Sequence, residues 1–310
     1  MDISIVIPLL NESESLPELY RWINEVMENN GFVYEIVFID DGSTDNSWKI
    51  INDLKHKNSN VKGIKFRRNY GKSAALSEGF KRTKGNVVFT MDADLQDSPE
   101  ELPVLYKMIT EEGYDLVSGW KKKRHDPMSK TVPSKLFNAV ARKVSGITLH
   151  DFNCGLKAYK NEVVKSIHVY GDMHRWMPVL AKWAGYTRIG EKVVEHRARQ
   201  HGYSKFGTKR IISGFLDLLS LFFVGKFSKQ PMHFFGTWGM GFSFVGFCIL
   251  AYLSLSKIIW KTSSIDDRPL FYFGILLLII GTQLFVTGFL AELVARNKPG
   301  KDNYNIAEEI

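Results

Sequence analysis

Short apolar runs alternate with amphipathic stretches over the first 120 residues. Residues 3–8 (ISIVIP), 34–39 (YEIVFI), 61–66 and 86–91 (NVVFTM) read as buried strands, and 114–118 (YDLVS) as a weaker fifth. Helical spacing fills the gaps, over about 15–29, 44–56, 72–83 and 99–112. Pro99 suits the first turn of the last of these, where its missing N–H is not needed. Strands alternating with helices predict an α/β fold with a mostly parallel sheet covered on both faces. Such sheets bind ligands beyond the carboxyl ends of their strands, and Asp40 and Asp92 both fall at such ends.

The pattern changes further along. Residues 120–160 read as basic and loop-rich, starting with Trp120-Lys121-Lys122-Lys123-Arg124, and a second basic stretch covers 197–210. Residues 211–224 (IISGFLDLLSLFFV) are apolar but interrupted by Asp217 and flanked by Lys209, Arg210, Lys226 and Lys229. They predict an amphipathic helix lying in a membrane interface. Residues 232–256 and 269–295 each approach the ~20 apolar residues that a spanning helix needs. Trp238, Tyr252, Trp260 and Tyr272 lie toward the run ends, as interface aromatics do. The predicted organisation is a catalytic domain at 1–207, a juxtamembrane region at 208–231, a two-helix transmembrane domain at 232–296 and a tail at 297–310.

Two spans place both flanks on one side. Lys205, Lys209, Arg210, Lys226 and Lys229 precede the first span, and Arg296, Lys298 and Lys301 follow the second. The connecting loop holds Lys257, Lys261 and Arg268. This balance favours a plasma-membrane or inner-membrane protein whose catalytic domain is cytoplasmic. The opening residues show no leader peptide pattern, and the two cysteines, Cys154 and Cys248, fit a reducing compartment. The net charge of +8 calls for polyanionic partners. With membrane segments present, lipid headgroups and a phosphorylated substrate fit better than nucleic acid.

Asp92-Ala93-Asp94, followed by Leu95-Gln96-Asp97, carries the sharpest chemistry. Two carboxylates one residue apart at a strand end can face one hard cation, Mg²⁺ or Mn²⁺, bridged to substrate phosphates. Gln96 offers a third oxygen. The first strand ends in Pro8-Leu9-Leu10-Asn11-Glu12. The second ends in Asp40-Asp41-Gly42-Ser43-Thr44-Asp45, where Gly42 permits a tight turn and Ser43 or Thr44 can cap the next helix. No G-x-G-x-x-G follows the first strand, which argues against a dinucleotide-binding enzyme.

Together with Arg68-Asn69-Tyr70-Gly71-Lys72, these segments resemble the family-2 glycosyltransferases of the GT-A fold. More narrowly, residues 1–210 resemble the polyprenyl-phosphate sugar transferases related to dolichol-phosphate mannose synthase, and the closing pair of spans resembles the bactoprenol glucosyltransferase type. The resemblance implies a GT-A (Rossmann-like) domain followed by an interfacial helix and two transmembrane helices. It implies inverting, metal-dependent transfer of one hexose or N-acetylhexosamine from a UDP- or GDP-sugar to polyprenyl (undecaprenyl) phosphate. By position, Pro8, Asn11, Glu12, Asp40, Ser43, Lys72 and Asp92 would bind the nucleotide-sugar. Asp92, Asp94 and Gln96 would hold the metal, with Asp94 and Asp151 in catalytic roles. Asp151 opens Asp151-Phe152-Asn153-Cys154-Gly155-Leu156-Lys157, similar to the family's acceptor-side motif, with Lys157 where Arg is more usual. Lys121, Arg124, Arg197, Arg199, Ser204 and Lys205 would meet the acceptor phosphate. The sugar, the nucleotide and a homo-oligomeric state stay open.

Two other readings bear on the same residues. A processive polysaccharide synthase carries a Gln-rich element ending in Arg-Trp; this chain shares only Arg175-Trp176, and two spans are few for a polymer channel. A non-catalytic membrane scaffold that kept the fold would have no need of intact Asp40, Asp92 and Asp94.

Overall fold

A computed structural model describes residues 1–122, 138–139, 141–143, 145–197, 231–260, 269–296 and 306–309. The chain divides into two compact units, Met1–Asp217 with Asn303–Ile310, and Leu218–Asp302. In the first, β1 (Ile3–Leu9), α1 (Leu16–Asn29), β2 (Tyr34–Asp40), α2 (Ser47–Lys57), β3 (Val61–Phe66), α3 (Lys72–Arg82) and β4 (Val87–Thr90) follow in turn. A 3-10 turn at Pro99–Glu101 leads into α4 (Leu102–Thr110), then β5 (Leu116–Trp120), β6 (Lys157–Lys160) and α5 (Asn161–Ser166). A second 3-10 turn, Met173–Trp176, opens α6 (Met177–Trp183), and β7 (Ile189–Val193) follows. The second unit holds α7 (Pro231–Trp260) and α8 (Pro269–Arg296), after which β8 (Ile306–Glu309) rejoins the first.

The strands form one sheet in the order β7-β5-β6-β4-β1-β2-β3-β8. β1 pairs in parallel with both β2 and β4, and β2 with β3. Both faces of β1 and β2 are covered, so their residues are apolar without alternation. β6 runs antiparallel between β4 and β5, and β8 closes the far edge antiparallel to β3. Chain order runs outward in one direction from β1 through β2 and β3, and in the other from β4. That reversal between β1 and β4 opens a crevice at the carboxyl ends of the strands.

α1 buries Leu16, Leu19, Ile23, Val26 and Met27, one helical stripe turned to the sheet. α3 is different. Ser73, Ala74, Ala75, Leu76, Ser77, Glu78, Gly79 and Phe80 are all buried, and the small side chains among them let the helix lie close to β1 and β2. Its first residue, Lys72, is thereby brought to the crevice.

At the opposite end of the strands a polar brace joins three elements. The buried Glu35 carboxylate on β2 accepts hydrogen bonds from Ser4 Oγ at 2.5 Å, Lys84 N at 2.6 Å and Lys62 Nζ at 2.5 Å. Ser4 Oγ in turn accepts from Gly85 N at 2.8 Å. Burial raises the Glu35 carboxyl, but Lys62, Ser4 and Lys84 together outweigh it and hold it below its ordinary value.

α7 and α8 are long and apolar enough to cross a membrane, over runs that bracket the predicted 232–256 and 269–295. They pack through close backbone approach: a Cβ on Gly281 would lie 2.6 Å from Gly239 O, the small-residue contact that helices use in lipid. The predicted interfacial helix at 211–224 lies outside the described residues.

Glu35→Gln keeps the side chain's size and removes the anion. We expect it to lower the stability of the first unit near neutral pH by roughly 1–3 kcal/mol. The folded carboxyl titrates below its unfolded value of ~4.3. The difference is therefore full above that value and closes as pH falls through the folded one. Thermal melts of both proteins from neutral to acidic pH check this, and parallel pH curves would show that the anion does not brace the strands.

Candidate active site

The loop after β1 is clamped to the loop after β2. Asn11, at φ 53°, donates its N–H to Ser43 Oγ at 2.9 Å, and its side-chain oxygen accepts from Thr44 N at 2.8 Å. Glu12 N donates to Ser47 Oγ at 3.0 Å, and Ser13 N to Asp45 Oδ2 at 3.1 Å. Pro8, half-buried, lies opposite Ile39 in the β1–β2 pair. Asn11, Glu12 and Ser43 are thus brought together, each with a bracing contact within the loops.

Asp40 is fully buried at the end of β2. Its Oδ1 accepts from Ser43 N at 2.8 Å, and its Oδ2 has no hydrogen-bond partner among the described residues. Burial pushes this carboxyl up despite the Ser43 hydrogen bonds. A buried oxygen lacking a donor is costly, and it is matched by a ligand that brings an N–H or O–H. Asp41 instead braces the backbone. Its two oxygens accept from Tyr70 N at 2.7 Å and Gly71 N at 2.9 Å, fixing the turn into α3.

β4 ends at Thr90, and Asp92, Asp94 and Gln96 follow, all half-buried. Between the last two, Leu95 is buried with φ +60°. A branched residue in that region stores strain of about 1–3 kcal/mol, a feature that clusters at functional sites. The Leu95 side chain pins the turn from which Asp94 and Gln96 project. Asp94 Oδ1 accepts from Gln96 N at 3.3 Å.

Asp92 forms an ion pair with Lys72. On its other side, a Cβ on Gly155 would lie 2.5 Å from Asp92 Oδ2, so only glycine leaves the carboxylate its place. Thr90 Oγ1 donates to Gly155 O at 2.9 Å and holds that approach. Burial raises the Asp92 carboxyl, but Lys72, Lys121 and Lys157 outweigh it and bring it down to about 2. Asp92 is an anion at any physiological pH.

A cavity of about 140 Å³ opens beside Asp92, lined among others by Lys72, Asn153, Lys157, His174 and Arg175. Lys157 is 3% exposed and donates to Cys154 O; burial pulls its ammonium down. Burial also lowers His174, to about 3, so its imidazole is neutral; Nδ1 lies 3.0 Å from Ser73 Oγ.

Lys121 forms an ion pair with buried Asp97 at 2.8 Å, its own side chain 14% exposed. Burial opposes its charge, but Asp97 and Asp92 more than restore it. Asp151 is buried; its Oδ1 accepts from Asn153 N at 3.0 Å, which shapes the loop carrying Asn153, Cys154 and Gly155. Arg197 N donates to Gln96 O at 3.0 Å, tying this basic segment to the Asp92–Gln96 turn, and its guanidinium lies 4.2 Å over the Trp22 ring. Arg124, Arg199, Ser204 and Lys205 lie outside the described residues.

The pattern of the chain did not point to Thr90, Asn153, His174 or Arg175 as site residues. Asn153 stood inside the Asp151–Lys157 motif without a role of its own, Arg175 was visible only as half of an Arg-Trp pair, and Thr90 and His174 had no signal.

The two carboxylates suit a Mg²⁺ or Mn²⁺ ion. Such ions are held by one or two carboxylates plus substrate phosphates rather than by a full protein cage. Among the described residues no group of three or more His, Cys, Asp or Glu side chains gathers around one point.

Residues 4–167 match the model of glycosyl transferase family 2. The dodecaprenyl-phosphate galacturonate synthase of Rhizobium johnstonii is 35% identical over 301 residues, covering 96% of this chain and 88% of that protein. The undecaprenyl-phosphate 4-deoxy-4-formamido-L-arabinose transferase of Shewanella sediminis is 36% identical over 296 residues, covering 95% and 87%. In fold, the chain is similar to glucosyl-3-phosphoglycerate synthase from Mycobacterium tuberculosis, crystallised with Mn²⁺, UDP-glucose and phosphoglyceric acid. The TM-score is 0.55 at 20% identity, over 71% of this chain and 80% of that one. The first unit therefore has the GT-A fold.

Asp97→Asn would leave the Lys121 ammonium buried without its counter-ion, at about 3–5 kcal/mol. We expect Lys121→Met to destabilise less, and the double variant to recover much of the loss. Thermal denaturation of the four proteins measures the coupling. Strictly additive losses would mean that Lys121 does not depend on Asp97.

Proposed function

The chain belongs to glycosyl transferase family 2, and we propose that it transfers a single sugar from a nucleotide-sugar to a polyprenyl phosphate, with inversion. The observation that carries this is Asp92: a half-buried carboxylate at the β1–β4 crevice, paired with Lys72 at the amino end of α3. A carboxylate for a metal, an ammonium and a helix amino terminus together suit a diphosphate. The spanning helices and the two relatives named above, both named for polyprenyl-phosphate chemistry, support the lipid acceptor.

Asp92 and Asp94, with Gln96 beside them, would hold Mg²⁺ or Mn²⁺, which neutralises the leaving diphosphate as a Lewis acid. Lys72 adds its charge to the same group. Asp40, with its free buried oxygen, accepts from the nucleoside, and Pro8, Asn11, Glu12 and Ser43 shape that end of the crevice. The acceptor phosphate monoester, with its second pKa near ~6, is largely dianionic at neutral pH. It needs no strong base: its oxygen attacks the anomeric carbon while the bond to the nucleotide diphosphate breaks. The enzyme's work is positioning and charge compensation.

On the acceptor side, Arg197 is tied to the Asp92–Gln96 turn through its backbone pair with Gln96. Arg124, Arg199, Ser204 and Lys205 complete the proposed set. Lys121, held by Asp97, contributes its field. Asp151 positions the Asn153–Gly155 loop.

The pairing of β8 with β3 supports an even number of crossings, since the chain returns after α8 to the sheet it left. The basic flanks favour the cytoplasmic side for that sheet.

Three measurements test the reading. Asp94→Asn should lose at least about a hundredfold in transfer, and full activity in excess EDTA would remove the metal. Incubation with UDP- and GDP-sugars and undecaprenyl phosphate should give a lipid phosphosugar with one of the two nucleotides. NMR of the product from an α-linked donor should show a β-linkage; an α-linked product would overturn single displacement. No lipid product with any donor would overturn the function.

A further inference from the structure

The cavity beside Asp92 is the space next to the proposed diphosphate site, so it is where the transferred sugar would sit. Its volume of about 140 Å³ is well below that of a drug-sized pocket, ~300–1,000 Å³. It suits one ring, not a chain. Its charge is unusual for a neutral sugar. The lining carries three cations, Lys72, Lys157 and Arg175, and one carboxylate, Asp92. Lys72 and Asp92 are paired with each other. Lys157 and Arg175 add two further cations, the first of them nearly fully buried. The imidazole of His174 is neutral and adds no charge.

A neutral hexose presents hydroxyls, which carboxylates and amides recognise well by accepting their protons. Here Asn153 supplies one such amide, and the two further cations can only donate. We propose that this cavity is built for a sugar bearing its own carboxylate, a hexuronate, with Arg175 as the residue that selects it. The guanidinium's fork matches a carboxylate in two parallel hydrogen bonds. Lys157, which already donates to Cys154 O, supplies field at the cavity wall. The competing assignment gives both cations to the diphosphate, and the two differ in what the loss of Arg175 does.

This inference rests on the proposed nucleotide-sugar donor. It is therefore tested by donor binding without any lipid acceptor, on the full chain in detergent with Mn²⁺ present. Isothermal titration compares the UDP and GDP forms of glucuronate and galacturonate with those of glucose and galactose. Wild type should bind a uronate form roughly ten- to a hundredfold more tightly than its parent hexose. Arg175→Met should erase most of that preference and leave hexose affinity within about twofold; Arg175→Lys should keep part of it. Retained hexose affinity also shows that the variant is folded. Equal binding of uronate and hexose by wild type, or equal loss of both in Arg175→Met, would overturn the inference and leave the glycosyl transfer reading standing. Failure of every nucleotide-sugar to bind would overturn both.

Discussion

The first unit is organised around keeping one carboxylate, Asp92, ionised in a half-closed crevice. A charge taken out of water is tolerated only with opposite charge close by. Three separate stretches of chain meet that need. α3 brings Lys72, the turn after β4 presents Asp92 itself, and the loop after Asp151 closes in at Gly155. Each approach is fixed by backbone. Asp41 accepts the amides of Tyr70 and Gly71 just before α3, and Thr90 holds the Gly155 carbonyl. Side chains of modest length then reach their partners with little freedom left to lose.

The sheet explains why these stretches meet. Parallel strands put all their following loops on one edge, and the reversal between β1 and β4 leaves a gap there that no helix among the described residues fills. The amino ends of the same strands need the opposite property, closure. Glu35 provides it, bonded to Ser4, Lys62 and Lys84, so that β1, β2 and the entry to β4 are joined by one buried anion. One buried carboxylate is fully satisfied and serves rigidity. At the crevice end, Asp40 keeps an oxygen unsatisfied, and that is the end available to a ligand.

The strands buried on both faces could be read from the chain because an apolar run of that length has few other uses. The runs at 3–8, 34–39, 61–66 and 86–91 all became strands within a residue or two of those bounds. β6 could not be read. Its four residues are Lys-Ala-Tyr-Lys, and the burial of Lys157 and Tyr159 is decided by β4 and β5 on either side. β7 and β8 are edge strands of five and four residues, too short for periodicity to show. The same limit applies to the site. Asp92 and Asp94 stood out because two carboxylates at a strand end have no packing role. Lys72 and Asp92 are twenty residues apart, and Lys121 pairs with Asp97 across a strand. Only the family resemblance singled out these lysines; their pairing with Asp92 and Asp97 is made by tertiary packing.

The ion pair of Lys72 with Asp92 also bears on how a reaction between two anions can be accommodated. In the proposed transfer a phosphate approaches a diphosphate, and their repulsion must be offset before any bond changes. A lysine held ready by a carboxylate is already oriented, so the ordering entropy of that side chain is spent during folding rather than at binding. Were Asp92 to hold a divalent ion, Lys72 would stand beside the phosphates with its charge available to them. The net charge at the crevice would then rise by the ion's two units while no cation left. In the empty enzyme the same pairing leaves one fewer uncompensated cation in the crevice, where self-repulsion would work against the close packing of α3 on the sheet.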